Sequence, residues 1–144
     1  MAISMGTEPF SAQNASQVQE LFQWEQEIQH TLAIWSRDGS QLAISANWGF
    51  IHLYDSKTLA YIRRFGSSTW VGTLALSPDG YTLASGDKDG EIKLFNVSTG
   101  DTLYTREGHK RWVSSVVFSP DGRTIASKSV SVYETTIIRF WGVP

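Results

Sequence analysis

From residue 29 onward, apolar and polar side chains alternate with a period of two, in runs of six to eight residues separated by breaks rich in Gly, Asn and Asp. Such alternation puts the apolar side chains on one face of an extended chain and predicts half-buried strands. In order the runs are QHTLAIWS, QLAISA, FIHLYD and TLAYIRRF; VGTLALS, YTLASG, EIKLFNV and DTLYTRE; then WVSSVVFS, RTIASK and TIIRFWG. Apolar residues nowhere sustain a three-and-four spacing, and β-branched and aromatic residues dominate, so no helix is predicted.

The runs repeat. SRDG at 36–39 and SPDG at 77–80 and 119–122 begin 41 and 42 residues apart. Each is a tight turn between two strands; in the second, Pro78 presets φ and Gly80 tolerates a positive φ. A period of about 40 to 45 residues is that of one four-stranded antiparallel unit. The units are 28–69, 70–111 and 112–144, the third lacking a fourth strand. QVQELFQWE, at 17–25, alternates like an outer strand, so 17–27 is expected to complete a unit, in trans. Residues 1–16 show no period and are expected to form a mobile leader.

Composition narrows the function. The 144 residues are 41% apolar and 18% charged, as in a globular protein with a sizeable core. Twelve Lys and Arg against fourteen Asp and Glu give a formal charge of −2, which leaves no footprint for nucleic acid or an anionic membrane. The longest uncharged apolar runs fall far short of the roughly 20 residues of a membrane-spanning helix. The opening residues lack a basic start followed by an apolar block, so a cytoplasmic setting is expected. The absence of cysteine excludes disulfides and thiolate metal sites.

Gly108-His109 before a first strand, SPDGRTIAS at 119–127 and TIIRFW at 136–141 resemble, in order, the consensus phrases of the WD-repeat β-propeller family. The opening SAQNASQVQEL and the closing RFWGVP are similar to bacterial members. The resemblance covers about residues 17–144 and implies an all-β segment of three four-stranded antiparallel blades, completed by oligomerisation. It also implies a buried network in each blade, joining a loop His, a second-strand Ser, a turn Asp and a third-strand Trp. The third repeat matches with His109, Ser127 and Trp141, but SVSVYETT replaces its tight Asp-Gly turn. The second offers Ser85, Asp89 and Phe95, and the first Ser45 and Tyr54. With no network complete, packing between blades is expected to supply most of the rigidity.

No catalytic constellation is recognisable, and no cofactor is implied. His30, His52 and His109 have no metal-ligand spacing, and Asp87 to Glu91 reads as a plain turn rather than a calcium loop. Asn14-Ala15-Ser16 and Asn96-Val97-Ser98 match the glycosylation pattern, which is short enough to arise by chance. Three blades form only an arc, whereas closed propellers have four to eight, so a homodimer of six blades is expected. In the family, one end of the ring carries the loops that meet partners. The matching positions are Trp48, Trp70, Lys88, Lys110, Arg111, Tyr133 and Glu134, residue types that include hot-spot formers. Packing between blades is the competing role for Trp48 and Trp70 and the preferred one for Trp112; Tyr133 is read as exposed. The expected function is a non-enzymatic scaffold for protein partners. A lectin-like or small-ligand propeller and a fragment of a longer propeller are the alternatives.

Overall fold

A computed structural model describes residue 23 and residues 30–67, 69–130 and 135–143. The expected leader lies outside these residues, as do Tyr133, Glu134 and, apart from Gln23, the expected outer strand 17–27. Every described run of alternation forms a strand. The first sheet is β1 (His30–Trp35), β2 (Gln41–Ala46), β3 (Phe50–Asp55) and β4 (Tyr61–Gly66). The second is β5 (Val71–Leu76), β6 (Thr82–Asp87), β7 (Glu91–Asn96) and β8 (Thr102–Glu107). The third has β9 (Val113–Phe118), β10 (Thr124–Val130) and β11 (Thr136–Gly142). All pairs are antiparallel neighbours in chain order, and β1, β5 and β9 lie side by side.

The three S-x-D-G segments fold alike. Ser36, Ser77 and Ser119 donate their hydroxyls to Asp38, Asp79 and Asp121 at 2.6, 2.5 and 2.6 Å. The same carboxylate oxygens accept the N–H of Ser40, Tyr81 and Arg123, each at 3.0 Å. The serine oxygens accept the N–H of Gln41, Thr82 and Thr124, each at 2.9 Å. Gly39, Gly80 and Gly122 close the turns at φ of 72°, 77° and 73°, where a side chain would be strained. Asp55 and Asn96 cap the β3–β4 and β7–β8 turns in the same way, each accepting two backbone N–H groups.

Register shows that the sheets repeat residue by residue. Leu42 pairs with Tyr54, Leu83 with Phe95 and Ile125 with Trp141, so these positions are equivalent. One apolar cluster joins the first two sheets: Ile34, Ala43, Ile51 and Leu53 pack on Leu74, Leu76, Leu83 and Phe95. Phe65 and Phe95 meet there with ring centroids 5.5 Å apart. The next cluster repeats the joint: Ala75, Ala84, Ile92 and Leu94 pack on Val116, Phe118, Ile125 and Trp141. Burial of aliphatic and aromatic side chains at about 25 cal/mol per Å² makes these two joints the main source of stability.

Candidate interaction face

Four loops lie in sequence along one end of the stack. The Asn47–Gly49 turn touches the loop that follows β4, where the Ser67 N–H donates to the Gly49 carbonyl at 2.8 Å. That loop touches the Asp87–Gly90 turn through the Lys88 N–H and the Trp70 carbonyl, 3.1 Å apart. Gly90 in turn lies against the carbonyls of His109 and Arg111, so closely that a Cβ would overlap the first. The rim therefore runs from Trp48 through Trp70 and Lys88 to Lys110, Arg111 and Trp112, and all six are exposed.

Trp48 is 85% exposed and holds a left-handed backbone, φ 68°. A bulky side chain there is strained by roughly 1–2 kcal/mol, and burial returns nothing at this exposure. Among the described residues nothing packs over it. Trp112 is half-exposed, with its indole nitrogen resting on Gly72 where a Cβ would otherwise stand. Among the described residues of these loops, Lys88, Lys110 and Arg111 give the rim positive charge, set against the exposed carboxylate of Asp89.

Beneath the rim, the third sheet holds a buried polar network. The Trp141 Nε1–H donates to Ser127 Oγ at 2.7 Å, and His109 Nε2 meets the same oxygen at 2.7 Å. The other ring nitrogen of His109, Nδ1, meets Ser129 Oγ at 2.7 Å. His109 and both serines are buried, and the Trp141 ring stands edge-on to the imidazole. Burial, with a smaller push from Arg139, lowers the His109 pKa below 6.5, so the ring is held neutral. Ser129 escaped the sequence reading because its segment lacks the Asp-Gly signal, yet it fills the place of the turn carboxylate.

Two sequence assignments are corrected. Asp89 sits exposed at the tip of its turn; the buried carboxylate is Asp87, two residues after Ser85 on the same face of β6. Asp87 Oδ1 accepts the N–H of Asp89 at 3.1 Å and of Glu91 at 2.9 Å, and Lys93 Nζ lies 3.8 Å from Oδ2. Burial pushes its pKa up despite these partners. In the first sheet Ile44, not Ser45, stands at the position of Ser85 and Ser127, because Ile44 pairs with His52 as Ser85 pairs with Lys93 and Ser127 with Arg139. Ser85 is buried, but the Phe95 ring, unlike the Trp141 indole, has no N–H to offer it. Among the described residues, no group of three or more His, Asp and Glu could hold a metal ion, and no helix is long and apolar enough to cross a membrane.

Antiparallel sheets joined face to face in chain order, with first strands adjacent and one joint repeated at equivalent positions, define a stack of β-propeller blades. The pattern of the WD40 family, "WD domain, G-beta repeat", matches residues 59–96 and 100–141. These ranges make up more than half of the chain, which belongs to that family. A solved structure titled "Crystal Structure of Mitotic Checkpoint Complex" contains a chain of the same fold, with a TM-score of 0.72 and 23% identity. The match covers 83% of this chain but only 35% of that one. The WD40 fold points to a scaffold for protein interactions.

Proposed function

We propose that this chain is a non-enzymatic scaffold that binds protein segments on the loop rim and self-associates into a closed propeller. Two copies would supply six blades, with residues 17–27 adding the missing outer strand to the third blade. The observation that carries the rim reading is Trp48: a large aromatic residue held in strained backbone, almost wholly in solvent, in the turn that touches the loop leading to Trp70. Strain without burial is the mark of a residue kept for contact. A cytoplasmic setting belongs to the same proposal and is checked by cell fractionation.

Trp48→Gly tests the rim, because glycine relieves the left-handed strain while deleting the contact. Leu59→Gly is the control, since Leu59 holds φ 56° in a turn between β3 and β4. Peptides selected from a displayed random library on the wild-type chain should lose binding to Trp48→Gly and keep it on Leu59→Gly. Retained binding by Trp48→Gly would refute the rim reading. Trp48-dependent binding to a glycan array, with no peptide selected, would replace it with the lectin-like alternative.

A further inference from the structure

The joint that links the blades is made twice within the chain and presented a third time uncovered by any of the described residues. Blade 1 inserts Ile34, Ala43, Ile51 and Leu53 into blade 2, and blade 2 inserts Ala75, Ala84, Ile92 and Leu94 into blade 3. The equivalent residues of blade 3 are Val117, Ala126, Ile138 and Phe140. Among the described residues no strand or loop covers them: Val117 is 53%, Ile138 58% and Phe140 74% exposed. Four apolar residues kept in an established joint pattern specify the opposing surface, which must be the receiving face of a blade.

The chain has such a face at its other end. Blades 2 and 3 receive with Leu74, Leu76, Leu83 and Phe95 and with Val116, Phe118, Ile125 and Trp141. The equivalent positions of blade 1 hold Ala33, Trp35, Leu42 and Tyr54, of which Tyr54 is already buried and bonded to His52, leaving Ala33, Trp35 and Leu42 to receive a partner. Trp35 is 50% exposed, whereas its counterparts Leu76 and Phe118 are packed. We infer that blade 3 of one copy docks on blade 1 of a second copy, with Val117, Ala126, Ile138 and Phe140 meeting the face made by Ala33, Trp35 and Leu42 in the register used inside the chain. This rests on the self-association proposed above and names the surfaces that perform it. Ser115 adds a polar fix: it occupies the place of Thr73, whose Oγ1 accepts the Val116 N–H across the inner joint at 3.0 Å. Its counterpart donor is the N–H of Ala33 in the second copy.

One position breaks the pattern. Lys128 stands where blade 2 has Gly86, whose missing Cβ would lie 2.5 Å from Val113 Cγ1, and where blade 1 has Ser45. Its stem must lie along the joint with the ammonium in solvent, which loosens that corner. Lys128→Ser should therefore tighten association.

The test is the mass of the full chain by light scattering and sedimentation, with circular dichroism confirming that each variant is folded. The wild type should run at twice the 16.1 kDa chain mass. Phe140→Asp and Trp35→Asp alter exposed side chains and should each weaken association by more than about 100-fold, because a charge would be buried without a partner. Mixing the two should restore a dimer, since one joint then pairs an intact Phe140 with an intact Trp35. A wild-type monomer at the highest soluble concentration would overturn both self-association and the docking. A wild-type dimer indifferent to both substitutions would overturn the docking alone. Failure of mixing to restore the dimer would mean like faces meet, and no tightening by Lys128→Ser would mean a different register; either overturns the inference.

Discussion

Replacing Ser127 by alanine removes one oxygen and strands two groups. In the native third blade that oxygen accepts the Trp141 Nε1–H at 2.7 Å and bonds His109 Nε2 at 2.7 Å. A buried polar group deprived of its partner costs about 1–3 kcal/mol. Trp141 is only partly buried, so its N–H falls at the low end. His109 keeps Ser129 on Nδ1 and can place its proton there, leaving a bare lone pair rather than a bare N–H on Nε2. The sum is about 2–4 kcal/mol, a large share of the roughly 5–15 kcal/mol that holds a domain together. Urea unfolding at fixed protein concentration would measure it, in a cycle with His109→Ala and the double variant. The network predicts that the two losses are sub-additive by at least about 1 kcal/mol, because each removes the same bond. A Ser127→Ala loss below about 0.5 kcal/mol, or additivity within about 0.5 kcal/mol, would refute the argument.

Other expectations follow from the same geometry. His109 has a depressed folded pKa, so its contribution is fully present above 6.5 and is lost as pH falls through the folded value; urea midpoints should decline over that window, and His109→Ala should flatten the decline. Asp38 is lowered to about 2, chiefly by the Ser36 hydroxyl, and Asp79 and Asp121 are lowered by their serines. The stability these turns add is present above 3.8 and lost as pH falls from there towards 2, so Asp→Asn changes should blunt the acid transition followed by circular dichroism. Gly90→Ala, at φ 92° and against the His109 carbonyl, should cost more than about 3 kcal/mol in chemical denaturation. Gly39→Ala, at φ 72° in open space, should cost only about 1–2 kcal/mol, and equal costs would mean that the backbone contact at Gly90 is unimportant.

The strands and the three S-x-D-G turns were legible because their signals are local: alternation sets the face, and Ser, Asp and Gly have hydrogen-bonding and φ requirements that read directly from residue type. What escaped depends on register. Ser45 was read as the second-strand serine of the first blade because it is the only serine in β2, but pairing puts Ile44 there, and one residue in a strand exchanges the two faces. Asp87 and Asp89 differ by two positions and carry the same group; only the end of β6 at Asp87 decides which points inward. Trp48 and Trp70 could be placed on the rim by loop position, yet the strain at Trp48 is a backbone angle that residue type does not announce.

Because each blade touches only its neighbours, the molecule behaves as a one-dimensional chain of coupled units rather than as a single core. The second blade is clamped by a joint on each side, whereas the first and third each have one joint among the described residues. Opening should therefore start at the two ends and reach the middle last. Amides of β6, packed between both joints, should exchange with solvent most slowly, and the rate at the ends should fall with rising protein concentration once a second copy closes the ring.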